Sequence, residues 1–201
     1  LLAEDYETNK NIVKRHLESA GYSIDIASNG EEAVDFFNKK KYDLILMDLH
    51  MPIMDGFEAT QNIRDIEKNN NLDSVPIVAL TADILAEDLE QCKKIGMNGY
   101  LLKPIRKKEL VNFVNRVYNS KVNDTSDNLE IVSQGQSGKF PNIIIDFEKG
   151  IEEFEGDKEF FIEVIEGFLD NCEKQLIQIQ EAIEKEDVEV IHREAHSIKG
   201  G

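Results

Sequence analysis

The chain has 201 residues, room for one large domain or for a medium one and a small one. A hydrophobic content of 41% and a charged content of 31% suit a globular fold in water. The formal net charge of −17 excludes a nucleic-acid partner, because holding a phosphate backbone takes a basic stripe and the sequence has none. Leu1 to Ala3 reads as the tail of a first strand that stops at the acidic pair Glu4-Asp5. The clipped strand and the absent methionine read as a piece of a longer protein. A helix follows, with Ile12, Val13, His16, Leu17 and Ala20 on one side and Gly21 as its stop. Tyr22 to Ala27 alternates like a strand, and Asn29-Gly30 turns into a helix carrying Ala33, Val34, Phe36 and Phe37. Leu44-Ile45-Leu46-Met47 holds no polar residue, so it reads as a strand buried on both faces of a parallel sheet; it ends at Asp48.

Beyond Met51-Pro52, the turn Asp55-Gly56 opens a helix to about Glu67 that presents Phe57, Ala59, Ile63 and Ile66. Val75 to Leu80 is a fourth strand ending at Thr81, and Ile84 to Ile95 is a helix stopped by Gly96. Gly99 to Leu102 is a fifth strand ending at Lys103-Pro104, and Lys107 to Tyr118 is its helix. Strand and helix thus alternate five times, the pattern of an α/β domain wound about a parallel sheet, over residues 1–119. Residues 120–142 are rich in Ser, Asn, Asp, Gly and Gln and read as a flexible linker. Residues 143–201 form an all-α segment. Phe160, Phe161, Val164, Ile165, Phe168, Leu169, Cys172, Leu176, Ile179 and Ile183 recur at helical spacing, and Asp187 caps a second helix that runs to the end. Two helices make half of a bundle. Cys92 and Cys172 lie inside helical patterns and read as small buried apolar residues in a reducing compartment. No signal peptide and no apolar run of membrane-spanning length is present, so the segment reads as cytoplasmic, with any membrane anchor in a part of the parent that precedes it.

Four strand ends place polar groups on one rim: Glu4-Asp5, Asp48, Thr81 and Lys103. Each alone has an ordinary explanation as a cap, a strand-terminating hydroxyl or a surface charge. Together they gather three carboxylates that repel one another and call for a hard divalent cation, which Mg²⁺ fits. A cation, a lysine and a hydroxyl around a carboxylate nucleophile make a phosphoryl-transfer site.

The motifs EDYETN at 4–9, MDLHMPIMDGFEA at 47–59, LTA at 80–82 and YLLKP at 100–104 resemble the response-regulator receiver family. The resemblance implies a flavodoxin-like doubly wound sheet of order 2-1-3-4-5. It implies that Asp48 accepts a phosphoryl group, that Asp5 and Asp48 ligate Mg²⁺ with Glu4 acting through water, and that the His50 backbone carbonyl completes the protein ligands. Thr81 and Lys103 then contact the phosphoryl oxygens, and Tyr100 is either a switch residue that follows the Thr81 hydroxyl or a plain core aromatic. Tyr6 departs from the family, since hybrid-kinase receivers often carry Asn there; Asn9 matches. His50, two residues after the acceptor, is expected to tune the lifetime of the phosphoryl group.

In the last helix Val188, Ile191, Ala195 and Ile198 are spaced as a buried seam, with His192, His196 and Lys199 on the adjacent stripe. The histidine pair lacks the Glu of a zinc-protease helix and a third ligand. The run Ala195-His196-Ser197-Ile198-Lys199-Gly200 resembles the AHxxKG motif of histidine-containing phosphotransfer (HPt) domains, which implies that His196 accepts a phosphoryl group with Lys199 in support. An HPt domain is a four-helix bundle and the match breaks off after the motif. The apolar seam of 160–183 is therefore expected to be partly uncovered, and to be closed either by further sequence or by a second copy in a homodimer.

The expectation is a phosphorelay module from the C-terminal region of a hybrid sensor histidine kinase. Asp48 takes a phosphoryl group from a phosphohistidine, on a kinase dimerisation domain or an HPt domain, and exchanges it with His196 or a downstream response regulator. The chain carries no Gly-rich nucleotide loop, so it transfers phosphoryl groups without ATP. One rival is a stand-alone receiver whose helical tail is a dimerisation or partner-binding arm. Another is a metal-dependent phosphatase, which needs a second Asp where His50 stands.

Overall fold

The computed structural model describes residues 1–82, 86–123, 147–154 and 156–200. The chain divides into two compact units, the first ending and the second beginning outside the described residues between 123 and 147. The predicted linker beyond Asn123, and Ile143 to Asp146, lie outside them too, as do residues 83–85 at the expected start of the fourth helix.

The first unit runs β1 (Leu2–Ala3), α1 (Glu7–Ser19), β2 (Ile26–Ala27), α2 (Gly30–Lys39), β3 (Ile45–Asp48), α3 (Gly56–Asn69), β4 (Ile77–Thr81), α4 (Ala86–Lys94), β5 (Gly99–Leu102) and α5 (Lys107–Asn123). All neighbouring strands pair in parallel, in the order β2-β1-β3-β4-β5. Strand residues alternate between two cores because successive side chains point to opposite faces. Leu2, Leu46, Val78, Leu80 and Leu101 pack with Val13 and Leu17 of α1 and with Leu110, Phe113 and Val117 of α5. Ala3, Ile45, Met47, Ile77, Ala79 and Tyr100 pack on the other face with Ala33, Ala59, Ile63 and Cys92 from α2, α3 and α4. Both faces are therefore covered, as the unbroken apolar run before Asp48 requires.

Local chemistry sets the helix ends. Asn29 caps α2, accepting from the Glu32 N–H at 2.9 Å, while the Glu32 carboxylate accepts from the Ser28 N–H at 2.8 Å. Asp55 caps α3 through the Glu58 N–H at 2.8 Å. Gly21 and Gly96 follow α1 and α4 at φ of 88° and 87°, the left-handed conformation in which a glycine ends a helix at low cost. At the pole opposite the strand ends, Arg64 ties α3 to the α4–β5 turn. Its guanidinium donates to Glu67, the carbonyls of Val75 and Gly96, and Asn98, at 2.7 to 3.1 Å. The buried Glu67 accepts in turn from the Val75 N–H at 2.7 Å.

Two elements differ in extent from expectation. Only Ile26–Ala27 of the expected second strand joins the ladder, because its neighbour in the sheet offers only Leu2–Ala3. The last helix of the first unit, α5, continues past Tyr118 into the first residues of the expected linker, to Asn123, with no Gly or Pro in between to stop it.

The second unit holds α6 (Phe147–Glu153), α7 (Lys158–Glu184) and α8 (Val188–Gly200). The short α6 was not expected; seven residues are too few to display a period. It packs on the start of α7 through Phe147, Phe154 and Phe161, whose rings stand 5.8 Å apart in the pairs Phe147–Phe161 and Phe154–Phe161. Gly150 makes this approach feasible, since a Cβ there would lie 2.5 Å from the Phe161 ring. Asp157 and Asp187 cap α7 and α8 through the N–H groups of Phe160 and Val190. Along α7, Phe161, Gln175 and Ala182 are buried, whereas Ile162, Leu169, Leu176 and Ile183 recur every seventh residue and are 40 to 59% exposed. Leu169, Leu176 and Ile183 belong to the expected seam, which is thus uncovered in part; Ile162 is not among its residues. The seam expected on α8 is not buried as a whole. Val188 is 73% exposed and Ala195 is exposed, while Glu194 is buried; a helix pair covers one strip of each member and leaves the rest to water. Among the described residues no helix is long and apolar enough to cross a membrane.

Candidate functional site

The polar groups singled out at the strand ends do converge. Glu4 follows β1, Asp48 ends β3, Thr81 ends β4 and Lys103 follows β5, all at the carboxyl edge of one parallel sheet. Register makes this arrangement rigid: Asp48 pairs with Leu80, one residue before Thr81, and Thr81 pairs with Leu102, one residue before Lys103. The Lys103 N–H donates to the Thr81 carbonyl at 2.8 Å, and the peptide to Pro104 is cis.

Oxygens of Glu4, Asp5 and Asp48 lie within 4.8 Å of one another. The Lys103 ammonium bridges two of these carboxylates, 2.7 Å from Asp48 Oδ2 and 2.8 Å from Glu4 Oε2. Asp48 Oδ1 accepts from the His50 N–H at 3.3 Å. Glu4 has no exposed surface, Asp48 and Thr81 are buried, and Asp5 is half-buried. Burial and the neighbouring Asp48 charge, against the pull of Lys103, push the Glu4 carboxyl up to about 7. Burial, then the charge of Glu4, raises Asp5; burial, opposed by Lys103 and aided by Asp5, raises Asp48. Burial alone would lower Lys103, but the facing Asp48 and Glu4 carboxylates outweigh it and hold the ammonium above its ordinary value. Three crowded carboxylates against one ammonium leave negative charge uncompensated, and the all-oxygen donor set suits a hard divalent cation such as Mg²⁺.

The loop after β3 is shaped around this site. A Cβ on Gly56 would overlap the Asp48 carbonyl oxygen, so only glycine lets the start of α3 close on β3; the Gly56 N–H donates to the Leu49 carbonyl at 3.0 Å. Ile53 adopts φ of 72° and the Met54 N–H donates to the Pro52 carbonyl at 2.9 Å, a γ-turn that a β-branched residue enters only under strain.

Tyr100 is buried on the face it shares with Thr81, two ladder pairs away, since it pairs with Ala79. His50 stacks edge-on to Phe57 with centroids 6.3 Å apart. His196 and Lys199 lie on α8 of the other unit, and their side chains fall outside the described residues, as does that of His192. The motif at 4–9 includes Asn9, but the sequence does not reveal its contact with Glu4. Asn9 Nδ2 donates to Glu4 Oε1 at 3.3 Å, beside the Tyr6 N–H at 3.2 Å. Its spacing of five residues spans a strand end and a helix start, so no periodic pattern reveals it. Lys10 is also buried, against Ser28 at 3.0 Å and Glu7 at 3.3 Å.

A parallel sheet of this order with an acidic cluster, a threonine and a lysine at its carboxyl edge defines a class of phosphoryl-accepting α/β domains. The model of the response regulator receiver domain matches residues 1–115, and the chain belongs to that family; the model of the Hpt domain matches residues 163–201. The chain is a two-component phosphorelay module, and the Hpt match disfavours a bare receiver with a helical arm. It is similar to hybrid signal transduction histidine kinase B of Dictyostelium discoideum, 46% identical over 119 residues, which are 55% of this chain and 6% of that protein. It is likewise similar to the peroxide stress-activated histidine kinase mak2 of Schizosaccharomyces pombe, 40% identical over 118 residues, 57% of this chain and 5% of that one. The chain thus spans a small fraction of these kinases' lengths.

Among solved structures, the receiver domain of sensor histidine kinase PA1611 of Pseudomonas aeruginosa, with magnesium in its active-site cleft, has a TM-score of 0.54 and 39% identity. The match covers 59% of this chain and 95% of that one. The co-crystal of the Saccharomyces cerevisiae phosphotransfer protein Ypd1 with the receiver domain of Ssk1 gives 0.60 and 32%, covering 64% and 94%. Receiver domains generally bind Mg²⁺ and exchange phosphoryl groups with two-component partners.

Proposed function

We propose that Asp48 is the phosphoryl acceptor of the first unit and His196 that of the second, within the C-terminal region of a cytoplasmically exposed hybrid sensor histidine kinase. The observation that supports this reading is the cluster of Glu4, Asp5 and Asp48 within 4.8 Å, with Lys103 bridging Glu4 and Asp48. An Asp48 oxygen attacks the phosphorus of a phosphohistidine. The O–P bond forms, the P–N bond breaks, and the imidazole leaves with the bonding pair and takes up a proton. Lys103 lies 2.7 Å from the attacking carboxylate and faces the phosphoryl oxygens; the Thr81 hydroxyl donates to one of them. Asp5, Asp48 and the His50 carbonyl, with Glu4 through water, would hold Mg²⁺, which would supply the positive charge that three carboxylates and an incoming phosphoryl group require. Tyr100, on the face of Thr81, follows the hydroxyl as it turns inward.

The group then passes to His196, with Lys199 offsetting its charge, or to the matching residue of a partner. The donor is a kinase dimerisation domain or an HPt domain, and the acceptor beyond His196 is a response regulator. The domain limits that accompany this reading are 1–119, a linker of 120–142 whose first residues continue α5 to Asn123, and 143–201. The open heptad stripe of α7 fits a further helix, and light scattering on this chain reads whether a second copy supplies it.

The test is incubation with acetyl phosphate and Mg²⁺, followed by the stability of the incorporated phosphate in acid and base. The expected result is base-labile phosphate that disappears in Asp48→Asn. Acid-labile, base-stable phosphate should require both Asp48 and His196, vanishing in His196→Gln. Incorporation that survives Asp48→Asn overturns the assignment.

A further inference from the structure

We infer that Asn9 is a positioning residue of the acidic site, fixing the Glu4 carboxylate so that one of its oxygens is kept for the cation side of the cluster. The inference rests on the Mg²⁺ reading above and extends it to a residue outside the charged cluster. Glu4 has no exposed surface, so bulk water does not orient its carboxylate. What remains soft is the last torsion of the side chain, which is broad and nearly two-fold for a glutamate. Two N–H groups converge on Oε1: the backbone of Tyr6 at 3.2 Å and the amide of Asn9 at 3.3 Å. Oε2 is left facing Lys103 Nζ at 2.8 Å, without the angles of a hydrogen bond. One donor would permit the carboxylate to swing about it, whereas two on the same oxygen fix the plane.

Position and residue type both fit the task. Tyr6 precedes the first residue of α1 and Asn9 is the third residue of that helix, so one rigid turn carries both donors. A neutral amide favours the ionised carboxylate without adding a charge that would compete with a cation; a lysine there would neutralise the site. Lys10, the adjacent cation, is turned to Glu7 and Ser28. Groups that orient metal-binding carboxylates typically change affinity by about 10- to 100-fold when removed.

The experiment measures Mn²⁺ binding by electron paramagnetic resonance and Mg²⁺ binding by calorimetry on the full chain. The variants are Asn9→Leu, which removes the donor at similar size, Asn9→Gln, which keeps an amide donor on a longer side chain, Glu4→Gln, and the Glu4→Gln/Asn9→Leu double variant. Asn9→Leu should weaken both ions by about 10-fold, and Asn9→Gln should recover part of that loss. Adding Asn9→Leu to Glu4→Gln should cost less than about 2-fold further, because the amide acts through that carboxylate. Cooperative melting of Asn9→Leu in EDTA separates metal binding from folding. Unchanged affinity in Asn9→Leu, or losses that multiply in the double variant, overturns the positioning role. A wild-type chain that binds neither ion overturns the site reading beneath it.

Discussion

The two units spend their apolar residues differently. In the first, Leu2, Ile45, Ile77, Leu80 and Leu110 are fully buried, and helices close both faces of the sheet. In the second, α7 leaves Leu169, Leu176 and Ile183 more than half exposed along one stripe. The difference fits the two proposed acceptor roles. As an acceptor, Asp48 would need groups from four strand ends to meet within a few ångströms, which takes a close-packed framework that holds register. An acceptor histidine on α8 would need an exposed face for a docking receiver, and a helix supplies that without a closed core.

The largest expected contrast sets the two apolar environments directly against each other. Leu46→Ala should destabilise the first unit by about 2–5 kcal/mol through lost burial and a cavity, as read by urea denaturation. Leu176→Ala, at a position 59% exposed, should change stability by less than about 0.5 kcal/mol. A larger, concentration-dependent loss for Leu176→Ala would show that a second copy covers the stripe. Gly56→Ala comes next, at roughly 1–3 kcal/mol, because the new methyl meets the Asp48 carbonyl and pushes α3 off β3.

A smaller effect concerns pH. Glu4 is raised from 4.5 to about 7, so between these values the folded chain binds more protons than the unfolded one. Metal-free stability should therefore fall, by on the order of 2 kcal/mol, as pH rises from about 4.5 to 7. Glu4→Gln should flatten that slope in thermal melts, and Mg²⁺ at neutral pH should recover the lost stability. The smallest is Ile53→Gly. The side chain is 77% exposed and the φ is positive, so relief of strain should raise stability by about 1 kcal/mol.

How much could be read from residues alone also divides along this line. The first unit was legible because apolar runs such as Leu44 to Met47 mark buried strands and their ends mark the rim, which is how Asp48, Thr81 and Lys103 were found. What escaped was contact without period: Asn9 on Glu4, the Arg64 clamp on Glu67 and Asn98, and an isoleucine, Ile53, where turn chemistry favours glycine or asparagine. In the second unit the spacing on α7 identified the helix but not which stripe is covered, since α7 carries apolar residues on more than one face. On α8 the same ambiguity set the expected seam through Val188 and Ala195, both exposed. Periodicity marks faces that are able to be buried; the neighbours present decide which of them are.

The central claim is that side chains from separate strands jointly hold a Mg²⁺-dependent acyl phosphate on Asp48. Fluorine NMR of the chain with beryllofluoride, an analogue of a bound phosphoryl group, tests it most directly. Bound fluorine resonances should appear with Mg²⁺, vanish in EDTA, and be absent from Asp48→Asn. Resonances that persist in Asp48→Asn, or a wild-type spectrum showing only free fluoride species with Mg²⁺ present, would contradict it.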